Sequence, residues 1–113
     1  MPDFSIPASG ISNAVNRLNV RAQNVANMQT EGYQAQTPRS AETGGGVRME
    51  SVTRDTSPGP VQLDAKLEPV EQSNVNPVRE SVGQALDLRA GQANADAFRA
   101  MNDVTRDALD LLG

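Results

Sequence analysis

The side chains of this sequence that could do chemistry are mainly carboxylates. Asp64 and Glu68 stand four residues apart, and Asp107 and Asp110 stand three apart, so either pair could act as an acid and a base. Asp103 could extend the second pair into a metal site. The chain has no histidine and no cysteine, which removes the usual bases, nucleophiles and transition-metal ligands. No partner base or oxyanion donor is evident for these carboxylates, so we expect them to form a hydrated flank. We also expect that the protein is not an enzyme and binds no cofactor or metal.

Composition excludes several further classes of protein. The glycine run at 44–46 lacks the Lys and Ser or Thr of a phosphate-binding loop, so it predicts a flexible joint. The 14 acidic and 10 basic residues are interspersed and give a net charge of -4, which argues against a nucleic-acid partner. Residues 1–18 contain neither a basic leader nor a long apolar run. We therefore expect no cleaved secretory signal and no membrane insertion.

The first element that the sequence predicts is a helix from about Pro7 to about Met28. Proline is well tolerated in the first turn, and apolar residues recur in steps of three and four. Thr30, Glu31 and Gly32 would end the helix, since glycine accepts the left-handed conformation that closes many helices. This first seam consists of Phe4, Ala8, Ile11, Val15, Leu18, Ala22 and Val25.

A second and longer helix is predicted near the carboxyl end. Asn76 and Pro77 form a good cap and first turn, and no proline follows them. The pattern predicts a helix of about 34 residues. This second seam consists of Val78, Val82, Leu86, Ala90, Ala93, Ala97, Ala100, Val104, Ala108 and Leu111.

The middle of the chain is rich in Pro, Gly, Ser and Thr and predicts loops and short strands. Alternation in 47–54, followed by a turn and the segment 61–67, indicates a small hairpin. We therefore predict a mainly α fold in which N- and C-terminal helices form an antiparallel coiled-coil pair around a small loop or β-hairpin insert. The segments are 1–33 for the first helix, 34–70 for the insert and 71–113 for the second helix.

An unusual set of neutral amides lies along the first helix. Asn13, Asn16, Asn24 and Asn27 share one flank beside the first seam, although asparagine is a poor helix former. One interpretation is that uncharged amides suit a surface that is exposed to solvent in the monomer and buried in an assembly. The other is that they tolerate exposure and that Asn27 helps to end the helix.

The stretch LNVRAQNVANMQTEGYQ at 18–34 resembles the amino-terminal signature of the bacterial flagellar axial proteins, the family of rod and hook subunits. Gln23 replaces the first asparagine of the family's usual Asn-Asn pair, and Gln34 replaces its usual base. The matching positions are Asn19, Ala22, Asn24, Val25, Ala26, Asn27, Thr30, Gly32 and Tyr33.

The other end of the chain resembles the carboxyl-terminal helix of the same family, over residues 71–112. Gly91 stands where the family usually has an aromatic residue, and this departure removes a large packing group. The matching positions are Ser73, Asn74, Val75, Asn76, Arg89, Gln92 and Asn94.

The resemblance implies a structural subunit that polymerises into the helical axial tube of the basal-body rod around the export channel. It implies rod subunits, further copies of the chain and the flagellar type III export apparatus as partners, and export without a cleaved signal. Thr30 and Gly32 are expected at the helix end. A non-polymerising coiled-coil adaptor or export chaperone is the alternative. The residues expected at subunit interfaces are Leu18, Asn19, Ala22, Asn24, Val25, Asn27, Tyr33, Asn74, Val75, Arg89, Gln92 and Asn94.

Overall fold

Two helices of unequal length run antiparallel in the computed structural model, which describes residues 3–113. Two small antiparallel sheets are inserted between them, so the predicted fold class is confirmed. The molecule measures 77 × 22 × 14 Å. In chain order the elements are α1 (Ser5–Ala26), β1 (Gln36–Thr43), β2 (Gly46–Arg54), β3 (Val61–Leu63), β4 (Pro69–Glu71) and α2 (Pro77–Leu112).

The start of α2 follows the sequence prediction. The Asn76 side chain accepts hydrogen bonds from the backbone N–H groups of Val78 and Arg79, at 3.0 and 3.2 Å. Pro77 occupies the first turn, where its missing N–H costs nothing. The cap is thus confirmed as predicted.

The end of α1 lies earlier than the pattern predicts. The helix stops at Ala26, and Asn27 follows as its cap, with a side-chain amide that donates to the Gln23 carbonyl at 2.9 Å. Thr30 donates through its hydroxyl to the Asn27 side chain, and Gly32 has a positive φ of 70° in the turn that follows. These contacts favour the interpretation in which Asn27 ends the helix.

The main hairpin has a different partner strand from the predicted one. β2 pairs with β1, which precedes it, and the pairing runs from Gln36 opposite Arg54 to Thr43 opposite Gly46. Residues 44–45 form the tight turn between them, and Gly46, the first residue of β2, has a positive φ of 146° that favours glycine. The segment that begins at Val61 instead pairs with β4. The alternation of apolar and polar residues in 47–54 predicted β2 as a strand, but this local pattern does not determine which other strand β2 pairs with.

The second seam points away from the other helix, whereas part of the first seam lines the space between the helices. Every residue of the second seam is exposed, and none of the first seam is buried. The closest contact between the helices is made by small residues that lie beside the seams. A Cβ built on Gly91 would lie 3.2 Å from the Ala14 Cβ. At this separation an aromatic side chain at position 91 would not fit between the helices, which accounts for the glycine there. The second seam therefore remains available to other molecules.

The interior between the elements is largely polar. Among the described residues, the buried apolar side chains are Ala14, Val20 and the prolines Pro7 and Pro38, whereas the buried polar ones are Asn24, Ser73, Glu80 and Asp87. A core with so little apolar volume gains little from the hydrophobic effect. Hydrogen bonds and ion pairs must therefore position the elements.

The last part of α2 extends beyond α1. The rings of Phe4 and Phe98 lie 5.1 Å apart and mark the end of the helix pair. From Arg99 to Leu112 the helix continues for about 20 Å without a neighbouring element among the described residues. Leu111 is 89% exposed there. Within residues 3–113, no helix combines the length and apolar character needed to cross a membrane.

Candidate functional site

Asn24 lies at the point where α1, α2 and β1 converge, and it is completely buried. Its amide nitrogen donates to the Gln36 carbonyl at 2.7 Å and to Glu80 Oε1 at 3.0 Å. Its oxygen accepts from the Gln36 N–H at 2.9 Å and from the Tyr33 hydroxyl at 3.2 Å. The Asn24 side chain thus bonds both the N–H and the C=O of Gln36, as the backbone of a neighbouring β-strand would.

Asn74 makes a matching set of contacts from the other end of the chain. Its oxygen accepts from the Ala35 N–H at 2.6 Å, and its nitrogen donates to the carbonyls of Asp55 and Ser57, both at 2.8 Å. Its own backbone N–H donates to the Tyr33 carbonyl at 3.1 Å. We call Asn24, Tyr33 and Asn74 the asparagine junction. Because its members come from both segments that resemble the flagellar family, the structure joins these two signatures at the base of the hairpin.

Four charged side chains form an ionic cluster, which we define as Arg17, Arg21, Glu80 and Asp87. Asp87 accepts from Arg17 Nε at 2.9 Å and from Arg21 Nε at 2.6 Å. Arg21 Nη1 also lies 3.7 Å from Glu80 Oε2. The acids are almost fully buried, while the Arg17 side chain is 22% exposed. The cluster therefore ties α1 to α2 through charges held away from water.

The ionic cluster and the asparagine junction form one connected network. Glu80 accepts from Asn24 through Oε1 and faces Arg21 through Oε2, so it belongs to both sets of contacts. Arg17 extends the network to the hairpin by donating to the Pro38 carbonyl at 3.1 Å. The network fixes the relative positions of both helices and the hairpin.

Sequence reasoning missed the ionic cluster, although a signal for it exists. Arg17 and Arg21 are the charged residues of α1, and their spacing of four places them on one helix face. Glu80 and Asp87, seven residues apart, share one face of α2. Two basic residues on one predicted helix and two acidic residues at heptad spacing on its expected partner would have indicated a charged contact.

Asn24 is predicted to contact neighbouring subunits. Within its own chain its side chain is completely buried and makes four hydrogen bonds. Tyr33 and Asn74 are half-buried and also bond within the chain. Asn27 caps α1. These four residues support the fold, because their polar groups are used inside it.

The other predicted interface residues are spread along the two helices. Val75 is half-buried just before α2, and Asn94 is half-buried beside Gly10. Leu18 lines an open apolar groove of about 220 Å³ between the helices, together with Val15 and Leu88. The exposed members of the set are Asn19, Ala22, Val25, Arg89 and Gln92.

Tyr33 gives the asparagine junction a dependence on alkaline pH. Burial raises the pKa of its phenol, Arg54 lowers it and Glu80 raises it further. Because the pKa is higher in the folded chain, the unfolded chain releases this proton first, and the free energy of unfolding falls as the pH rises above about 10. We expect Tyr33→Phe to cost about 1 kcal/mol at neutral pH and to make this alkaline decline shallower. Urea unfolding at several pH values would measure both effects, and an unchanged decline in the variant would contradict the assignment.

Residues 6–34 match the family model described as flagella basal body rod protein. This segment contains nearly all of α1, the turn that follows it, and both Asn24 and Tyr33 of the asparagine junction. Comparison with curated proteins gave no significant match. The matched segment lies where the amino-terminal signature was identified, and the two helices with a small hairpin follow the architecture that the resemblance implied. Over residues 6–34 the chain is therefore similar to the flagellar basal-body rod proteins.

Proposed function

We propose that this chain is a structural subunit that polymerises with copies of itself and with other rod subunits into the helical axial tube of the basal-body rod. In this role it transmits torque and surrounds the export channel. The observation that supports the proposal most strongly is the outward orientation of the second seam. Ten residues at helical spacing, all exposed, form an apolar face along the length of α2.

Such a face is costly in an isolated chain and useful in an assembly. Val78, Val82 and Leu86 are 71%, 55% and 60% exposed, respectively. Burying one such side chain contributes about 1.5 to 3 kcal/mol, so several together can offset the entropy lost on association. Contacts that are not self-complementary generate rings or helical filaments, as a tube requires.

The finer assignments follow from the family resemblance. The insert between the helices contains four short strands, and this small size favours a proximal-rod subunit resembling the rod protein usually called C. We place the chain in the part of the rod that spans the periplasm and assign its delivery to the flagellar type III export apparatus, without a cleaved signal. The exposed residues Asn19, Arg89 and Gln92 would contact neighbouring subunits.

Polar substitutions in the second seam should prevent assembly without unfolding the chain. We expect Val82→Gln combined with Leu86→Gln to reduce co-assembly with rod subunits of the same organism at least tenfold, because each change removes about 1.4 kcal/mol or more of contact energy. The free energy of unfolding should change by less than about 1 kcal/mol, since both side chains are already exposed. Sedimentation of the mixtures and urea unfolding would measure the two quantities.

Glu50→Gln, an equally exposed change on β2, is the matched control and should assemble as the unaltered chain does. Normal co-assembly of the double variant would contradict the role of the second seam. A compact helical chain that ignores rod subunits altogether would instead favour the non-polymerising adaptor.

A further inference from the structure

We propose that the ionic cluster determines which helix α1 pairs with: charge selects α2 of the same chain in one register, whereas apolar seams mediate contacts between chains. The inference deepens the proposed function, because the competing helices are those of neighbouring subunits. Its chemical basis, however, lies within a single chain.

The ionic cluster stabilises the helix pair less efficiently than well-packed apolar residues could. Glu80 Oε2 is buried and has no hydrogen-bond partner within residues 3–113, and the nearest cationic group there, Arg21 Nη1, lies 3.7 Å away. Removing charges from water costs free energy that such imperfect pairing repays only in part, and well-packed apolar residues often give equal or greater stability. Buried polar groups of this kind are best documented as devices that fix the register of paired helices.

The apolar seams explain why such a device is needed. Both seams repeat in steps of three and four, so two of them could pair in registers that differ by seven residues. In an assembly where many such seams come close, α1 would have numerous apolar partners. A polar contact face keeps the pairing within the chain distinct from these apolar contacts.

The charge pattern matches one register. In the observed pairing Arg17 and Arg21 both reach Asp87, and Arg21 faces Glu80. A shift of one heptad in one direction would put Glu80 in the place of Asp87 and Ser73 in the place of Glu80. A shift in the other direction would put Asn94 in the place of Asp87 and Asp87 in the place of Glu80. Either shift would leave one carboxylate for two arginines, which is costly for charges held away from water.

A disulfide can report the native pairing, because the chain has no cysteine of its own. A Cβ at Gly91 would lie 3.2 Å from the Ala14 Cβ, close to the separation of about 3.8 Å found in disulfides. The paired substitutions Ala14→Cys and Gly91→Cys should therefore form an intrachain disulfide when α1 and α2 pack in the observed register.

Charge reversal in this background tests partner choice. One variant carries Arg17→Glu and Arg21→Glu, and the other carries Glu80→Arg and Asp87→Arg. We expect each purified variant alone to lose the intrachain disulfide at least tenfold, because its two helices then carry like charges. Mixed in equal amounts, the two should form a disulfide-linked heterodimer, since each α1 then matches the α2 of the other chain.

Asp96→Arg is the control, because the Asp96–Arg99 pair is exposed and lies within α2, and it should leave the intrachain disulfide unchanged. Native disulfide yield in either reversed variant alone, or a mixture without heterodimer, would overturn the proposal. These measurements use the purified chain without other rod subunits. Failure of the unaltered chain to join rod subunits would count against the proposed function and leave the pairing result intact.

Discussion

Replacing Asn24 with alanine is expected to lower the free energy of unfolding by about 3 kcal/mol or more. The change would leave both backbone groups of Gln36, the Glu80 carboxylate and the Tyr33 hydroxyl without their Asn24 partner, and the Asn24 and Glu80 side chains are buried. Each unsatisfied buried group costs about 1 to 3 kcal/mol, although rearrangement of the hairpin would recover part of it. Urea unfolding followed by circular dichroism would give the difference.

Asn19→Ala is the matched control, since it changes the same residue type on the same helix at an exposed position. We expect it to alter the free energy of unfolding by less than about 0.5 kcal/mol. Equal stability of the two variants would show that the Asn24 contacts contribute little to the fold. A variant at position 24 that folds normally but fails to assemble would instead support the predicted role of Asn24 at a subunit interface.

The contrast between these two asparagines shows what the spacing of amides can and cannot predict. Asn13, Asn16, Asn24 and Asn27 lie on a common flank, but the structure gives them different tasks. Asn13 accepts a hydrogen bond from the Ser40 hydroxyl, Asn16 is exposed, Asn24 is fully buried and Asn27 ends the helix. Helical spacing places residues on a face, whereas the hairpin that covers part of this face comes from later in the sequence. The distinction between a buried and an exposed amide therefore could not be made locally.

The existence of both helices could be predicted because their signals are local. Heptad spacing, Pro7 near the start of α1, and the Asn76 cap of α2 act within a few residues of each other. The contact face could not be predicted in the same way. In a monomeric protein the apolar side of a helix normally covers the core, but here the second seam points outward and the helices pack closely at Gly10, Ala14 and Gly91. A chain that leaves the apolar side of a long helix exposed departs from the rule on which the prediction depended.

The family signatures also combine two kinds of residue. Asn24, Tyr33 and Asn74 hold the hairpin to the helices, whereas Asn19 and Arg89 are exposed. A sequence motif alone does not separate residues that maintain the fold from residues that face a neighbour. Burial and hydrogen bonding make that separation, so substitutions in the first group should affect stability and those in the second should affect assembly.

Removing the acid shared by both arginines should be the second large perturbation. Asp87→Ala is expected to lower the free energy of unfolding by about 3 kcal/mol, near the lower end of the range for a broken buried ion pair. The Arg17 side chain is 22% exposed and can turn toward water, but Arg21 is 12% exposed and would keep only its longer contact with Glu80. Urea unfolding would measure the loss.

Asp96→Ala provides the control for that change. It removes a carboxylate from the same helix, but the Asp96 and Arg99 side chains are 76% and 75% exposed and lie 4.0 Å apart, so the expected change is below about 0.5 kcal/mol. If the two variants were equally stable, the ionic cluster would not hold the helices together. A large loss of stability in Asp87→Ala would not show that the cluster is a net stabiliser. Removing one partner leaves the remaining charges buried without a counter-charge, which is destabilising by itself. Replacing the whole cluster with apolar residues would leave no such charges and could cost no stability. The cluster can therefore control which helices pair without adding to the net stability of the fold.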